Sequence, residues 1–323
     1  MDISHIILYA IVPIVVIMLT GFISGKKGIF NGDDAKKFNK VVLDYALPAA
    51  LFVSIVQSTS EMLYADLKLL IVSLIAIMGC FMLVYFIFAK SFKSNSGADG
   101  AIAALINGSP TIGFLGFAVL EPIFGTNPSV ALVVAIVGIV VNAVGIPVGL
   151  SLLNASLEHQ QNATKQKWWK PVVNALSQPV AWAPILAVVW VLCGFPWPKE
   201  FSPSFDLMAK ANASMAVFSA GITLSAVKFK LNLQGVLGSA FKLIFMPAVA
   251  LLLGLLFHME PLNLKMLVVA CALPPAFSGI IIADEYDTYV ATGTSSLTLS
   301  VILFIGFCPL WLWLTDIALK FAY

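Results

Sequence analysis

Two short stretches hold most of the chemistry this sequence can offer: Asn107-Gly108-Ser109-Pro110-Thr111 and Ala272-Leu273-Pro274-Pro275-Ala276, each set in an apolar run. Proline has no N–H, and its ring clashes with the carbonyl four residues back. In a helix, Pro110 would free the carbonyl of Ile106, and Pro274 and Pro275 those of Ala270 and Cys271. A new helix starts after each break, at Thr111 and near Ala276, with free N–H groups and roughly half a positive charge at its end. Two such ends facing each other make an anion site, with neutral donors from Asn107, Ser109, Thr111 and Ser278. Every basic residue is lysine and none is arginine, so no planar fork is present to clamp a carboxylate. A compact molecule with a carboxylate at each end gains from both helix ends, which makes a short dicarboxylate the expected ligand.

Other reactive types are scattered. There is no nucleophile–base pair and no H-E-x-x-H ligand set, so an enzyme is not expected and no cofactor is called for. His5, His159 and His258 do not cluster, and Cys80, Cys193, Cys271 and Cys308 form no C-x-x-C pair. Neither a metal site nor a disulfide framework is expected from such spacing. Asp44 lies inside an apolar run, where an ionised carboxylate is expensive; it is either a proton or cation site or a group reaching headgroups beside Lys40. Lys210 sits at roughly the inverted counterpart of Asp44, with snorkelling as an equal explanation. Asn142 and Asn212 either line a cavity or bond neighbouring helices, and Gly113, Gly116, Gly145 and Gly279 would allow close helix packing.

The elements that must position these residues are membrane helices. Of 323 residues, 60% are hydrophobic and 11% charged, against about 45–50% and ~25% in soluble domains. A hydrocarbon core of roughly 30 Å needs about 20 apolar residues per crossing. Ten crossings are predicted, at 4–24, 36–57, 69–89, 101–120, 130–153, 171–193, 207–227, 236–257, 262–283 and 290–315. The first reads as a crossing and not as a signal peptide, since no charged n-region or cleavage site accompanies it. The longest polar segment, Asn154 to Lys170, is too short for an appended catalytic or nucleic-acid-binding domain. Lysines gather in alternate loops: Lys26, Lys27, Lys36, Lys37, Lys40, then Lys90 and Lys93, then Lys165, Lys167 and Lys170, then Lys228 and Lys230. That asymmetry puts both termini outside the cytoplasm. The acidic run Asp284-Glu285-Tyr286-Asp287 is a weak exception, because acidic residues count little. Trp168-Trp169, Trp311 and Trp313 are interfacial anchors or packing residues, and Pro13, Pro48, Pro147, Pro184, Pro247 and Pro309 are ordinary kinks.

A shift of 164 residues superposes Pro110 on Pro274 and Glu121 on Glu285, and brings the first five crossings over the last five. Each half holds an odd number of crossings, so the halves lie upside down to one another, a known way of building secondary transporters. The expected fold is an all-α integral membrane protein of ten helices in two inverted five-helix repeats, 1–153 and 171–323, joined by a cytoplasmic linker at 154–170.

Several blocks now add up to a resemblance. They are Pro13 through Gly21, Gly25, Lys26 and Gly28, then Asn39-Lys40-Val41-Val42-Leu43 and Ala46-Leu47-Pro48-Ala49-Ala50-Leu51-Phe52. Further on come Gly108 to Phe114, Ala216-Val217-Phe218-Ser219-Ala220-Gly221 and Leu273-Pro274-Pro275-Ala276. In order and spacing the chain resembles the auxin efflux carrier family, in its bacterial branch, over its whole length. It lacks the long central hydrophilic loop of the plant members and has Pro-Pro where they place an asparagine. The resemblance implies a scaffold of crossings 1, 2, 6 and 7 that often dimerises, and a transport domain of crossings 3–5 and 8–10. It also implies that crossings 4 and 9 meet at their breaks and that an elevator-like shift carries substrate. By the same resemblance Asn107 is the crossing asparagine that contacts a substrate carboxylate, and Pro274 and Pro275 match the ninth-crossing break. The expected site is Asn107, Gly108, Ser109, Pro110, Thr111, Leu273, Pro274, Pro275, Ala276 and Ser278, with Asp44 for ion coupling. The implied activity is secondary transport of a small organic anion such as malonate, malate or oxalate across the plasma (inner) membrane, coupled to H⁺ or Na⁺. Partners are then the anion, the ion, membrane lipid and a second copy of the chain, without nucleic acid. An anion channel and a non-transporting carboxylate sensor are the alternatives.

Overall fold

The computed structural model describes residues 12–56, 67–92, 95–126, 128–161, 179–226 and 231–322. Among these, every regular element is a helix, and the one extended contact is an isolated antiparallel bridge between Pro110 and Pro275. The helices are α1 (Val12–Lys26), α2 (Gly32–Val41), α3 (Leu47–Val56), α4 (Leu67–Lys90), α5 (Gly97–Asn107), α6 (Ile112–Phe124), α7 (Pro128–Ile139) and α8 (Ile146–Gln161). They continue as α9 (Pro179–Leu192), α10 (Ser202–Ala226), α11 (Leu233–Ala240), α12 (Met246–Leu256), α13 (Pro261–Ala272), α14 (Phe277–Glu285) and α15 (Val290–Ala322). Among the described residues, five stretches are long and apolar enough to cross a membrane: Leu67–Lys90, Pro128–Leu157, Ser202–Ala226, Leu233–Leu256 and Val290–Ala322. Shorter apolar helices lie at four of the five other expected crossings, at Val12–Lys26, Ile112–Phe124, Trp182–Leu192 and Pro261–Ala272, and the expected crossing 36–57 is made of α2, a π turn and α3.

Helix α8 runs on to Gln161, so the first part of the expected linker, 154–161, is helical. Its residues there, Leu157, Glu158, Gln160 and Gln161 among them, are good helix formers, and the Ser156 hydroxyl bonds back to the Leu152 carbonyl instead of opposing the helix. Residues 162–170, with Trp168-Trp169, and the segment holding His5 lie outside the described residues.

Proline shapes the rest. Three π turns, Val42–Ala46, Val140–Gly145 and Phe241–Phe245, join α2 to α3, α7 to α8 and α11 to α12. Each is followed two residues later by a proline: Pro48, Pro147 and Pro247. A helix can accommodate the missing N–H and the clashing carbonyl by widening one turn. At the third, the carbonyl four residues before the proline, Leu243, accepts the indole N–H of Trp311 at 2.7 Å. Pro184 and Pro309 stay within continuous helices.

Helix α10 packs on α1, α2, α3 and α6, and α9 on α3, while α4, α5 and α8 form a second group and α11 to α15 pack among themselves and against α4, α5 and α7. The α1–α10 contact is backbone to backbone. A Cβ on Gly21 would strike the carbonyl of Phe218, and one on Gly221 that of Met18. Long-range contacts sort the helix ends onto two rims. On one, Asn95 bonds Gln234 at 3.0 Å, Asn232 bonds Thr292 at 3.3 Å and the rings of Phe88 and Tyr289 meet. On the other, Lys68 bonds the His258 carbonyl, Phe52 stacks on Phe205 and touches Trp197, and Lys265 pairs with Asp316.

Candidate functional site

Helices α5 and α6 belong to one broken segment and α13 and α14 to another, and the two meet at their breaks. The Thr111 N–H donates to the Pro274 carbonyl at 3.1 Å, and the Ala276 N–H donates to the Ser109 carbonyl at 3.1 Å and to that of Ile106 at 3.2 Å. Donor and acceptor exchange under an offset of 165 residues, so the first two bonds are one bond repeated with the strands swapped. The bridge therefore pairs Pro110 with Pro275 and not with Pro274, one residue away from the expected register. Two prolines facing each other bring no N–H to the centre, which leaves Pro274 to supply a carbonyl and Ala276 the donor.

The freed carbonyls are all engaged. Ile106 is capped by Ala276 across the crossing, and Ala270 accepts Leu273 N–H at 3.3 Å. Cys271 accepts the ammonium of Lys242 at 2.7 Å. Lys242 stands in the third π turn, is fully buried and makes its other hydrogen bond to Met246 Sδ at 3.0 Å. No motif points to it, and its one signal in the sequence is that it is a lone lysine within the predicted crossing 236–257.

Free donors cluster at the same place. The amides of Gly113, Phe277 and Ser278, in the first turns of α6 and α14, have no acceptor among the described residues. The hydroxyls of Ser109 and Thr111 and the Nδ2 of Asn107 are buried without a partner, although such groups are almost always satisfied in folded proteins. Asn107 Oδ1 accepts from Ser296 Oγ, and Ser296 in turn bonds Ser239, whose hydroxyl donates to the Ser296 carbonyl at 3.0 Å. Gly238 presses on the Asn107 carboxamide so closely that a Cβ there would come within 2.7 Å of Nδ2. Gly108 is similarly constrained, since a Cβ would come within 2.7 Å of Phe81 Cα in α4.

All the expected substrate residues meet at this crossing; Asn107, Ser109, Pro110, Thr111, Leu273, Pro274, Pro275 and Ala276 are buried and Ser278 half-buried. A cavity of about 690 Å³ between α1 and α15 reaches Pro274, walled by apolar side chains such as Met18, Phe22 and Phe304, with Thr298 and Lys26 also in its lining. Asp44, in the first π turn, lines a separate cavity of about 480 Å³ with Tyr45, Trp182 and Phe205. Lys210 lines another of about 500 Å³ with Glu121, Thr126 and Asp206, so the structure does not bring Asp44 and Lys210 together. Asn142 stands half-buried in the second π turn, and Asn212 is buried with both amide atoms unpartnered. No group of three or more His, Cys, Asp or Glu is placed to hold a metal among the described residues.

A family model described as membrane transport protein matches residues 6–312. The uncharacterized transporter YfdV of Escherichia coli (strain K12) is 49% identical over 305 residues, spanning 94% of this chain and 96% of that protein. Uncharacterized transporters of Methanocaldococcus jannaschii and Methanothermobacter thermautotrophicus are 23% identical over 312 residues and 24% over 305, each spanning 93% of this chain and 96% of the relative.

Proposed function

The chain belongs to the membrane transport protein family, that of the auxin efflux carriers, and we propose that it is a secondary-active carrier of small organic anions, with a short dicarboxylate such as malonate, malate or oxalate as substrate. One observation carries the reading: two reciprocally bonded helix breaks hold, at one buried point, three unpartnered side-chain polar groups and three unpartnered amides. Helix starts favour negative charge, each by about 0.3–2 kcal/mol, and unsatisfied donors in a dry site are costly until a ligand takes them. Asn107 Nδ2, Ser109, Thr111 and the amides after Pro110 and Pro275 are the groups that would hold the two carboxylates, Ser278 completing the second end. The largely apolar cavity leading to Pro274, with Lys26 in its lining, gives the anion passage.

Ten crossings in two inverted halves fit the two rims and the swapped bonds at the crossing. The packing supports the division of labour that the resemblance implies: α10 with α1, α2, α3 and α9 as scaffold, and the broken segments with α4, α7, α8, α11, α12 and α15 as the moving part. An elevator-like displacement would slide the second against the first, and Asp44, on the scaffold side, is the group proposed to take up a proton.

Competition tests the substrate class. In proteoliposomes, malonate should displace labelled malonate far better than its monoamide does. Equal potency would mean that a single carboxylate is read, and the two-ended site would have to be abandoned.

A further inference from the structure

A carbonyl set free by a helix break is an oxygen that could ligate sodium, and each of the three freed here already accepts a hydrogen bond. Ile106 and Ala270 are taken by backbone amides and Cys271 by the ammonium of Lys242. A bound sodium ion needs several open oxygens; at the ninth-segment break a cation carried by the protein's own chain already fills that place. The ammonium is fully buried, and it bonds the thioether of Met246 and the backbone carbonyl of Cys271 on α13. No carboxylate pairs with it among the described residues.

Burying an unpaired charge costs stability, and an apolar residue of similar size is often better tolerated. The other half of the molecule illustrates the alternative: at the 165-residue offset the counterpart of Lys242 is Ile77, apolar and buried on α4. Lysine on one side only is therefore not a requirement of packing the crossing. The segment that carries the lysine also borders the anion donors, since Gly238, one turn earlier, lies against Asn107. In a low-dielectric interior a fixed positive charge favours an entering anion and opposes a free cation.

We propose that Lys242 is a tethered countercation: its ammonium stands in place of a coupling sodium ion at the ninth-segment break and supplies the positive charge that accompanies an anion across the membrane. This rests on the anion-carrier reading and adds to it the cation that travels with the cargo.

Thermal melts of the detergent-purified protein in sodium chloride and in choline chloride, paired with labelled malonate uptake into proteoliposomes in the same salts, test it. The wild type should melt and transport alike in both. Lys242→Met fills the volume, and relief of the buried charge offsets the hydrogen bond lost at the Cys271 carbonyl, so it should melt near the wild type yet lose about tenfold or more of its uptake, a split that a purely structural lysine would not give. Lys242→Ala, which leaves a cavity and a bare Cys271 carbonyl, should melt lower in choline and be restored by sodium or ethylammonium. A wild type whose melting point rises in sodium over choline, or a Lys242→Met protein that transports malonate at the wild-type rate, overturns the proposal. If the wild type carries no malonate, the substrate reading alone fails, and the melts still decide. A sodium-indifferent wild type beside a Lys242→Ala variant rescued by small cations sustains the tethered cation, and a variant that is unfolded in every salt or answers to none of them overturns it.

Discussion

At the crossing, buried polar atoms are of two kinds, and they should answer substitution in opposite directions. Thr111 Oγ1 and Ser109 Oγ have no partner, so deleting either removes a desolvation cost and breaks no bond. Thr111→Val should leave stability unchanged or raise it by about 1 kcal/mol, while malonate affinity falls. Ser296 differs, because its hydroxyl donates to Asn107 Oδ1. Ser296→Ala leaves that oxygen buried and bare, and should cost about 1–3 kcal/mol in a denaturation experiment. If Thr111→Val proves as destabilising as Ser296→Ala, the free hydroxyl is not waiting for a ligand. Asp44 is tested differently: Asp44→Asn should flatten the pH dependence of uptake without abolishing malonate binding, and an unaltered pH profile would leave it a residue that merely lines the cavity beside Trp182.

Among the elements, glycine contacts separate backbone packing from empty space. Gly221 of α10 lies against the Met18 carbonyl and the Phe22 amide of α1, with no flexible side-chain end to yield. Gly221→Ala should therefore destabilise by about 1–3 kcal/mol. Gly306 of α15 meets nothing within 4 Å, and Gly306→Ala should gain up to about 1 kcal/mol from helix propensity. Melts of the two variants side by side check the α1–α10 contact, and Gly221→Ala with wild-type stability would remove it. Both breaks were legible in the sequence because proline chemistry is local: Pro110 and Pro275 could be read from the residues four positions back. The π turns were legible by the same rule, yet Pro48, Pro147 and Pro247 read as simple kinks, because sequence does not say whether a helix bends or widens. The bond from Ser296 to Asn107 spans 189 residues, a pairing that no local pattern encodes. Gly113 and Gly279 were expected to ease packing. A Cβ on Gly279 would come within 2.8 Å of the Ile106 amide, whereas Gly113 faces only the side-chain ends of Leu43 and Leu47.

For the molecule as a whole, the distribution of lysines between the two rims sets its orientation in the membrane. Lys90, in the last turn of α4, stands at the rim of Asn95 and Gln234, and the sequence pattern assigns Lys26, Lys27, Lys36, Lys37, Lys40, Lys93, Lys165, Lys167, Lys170, Lys228 and Lys230 to the alternate loops of the predicted topology that share its side. The opposite rim, marked by Lys68, Trp197 and His258, carries fewer lysines. Positive residues in short loops stay in the cytoplasm, so the Trp197 rim should face outward. Cys193 follows α9 on that rim and is exposed, whereas Cys80, Cys271 and Cys308 are buried. One native thiol thus reports the orientation without engineered labels. A membrane-impermeant maleimide should modify right-side-out vesicles and not inverted ones, and the signal should vanish in Cys193→Ser. Labelling confined to inverted vesicles would turn the molecule over. Both termini would then lie in the cytoplasm and the lysine-rich loops outside. The resting potential would act on the buried ammonium of Lys242 in the reverse sense during any movement across the membrane.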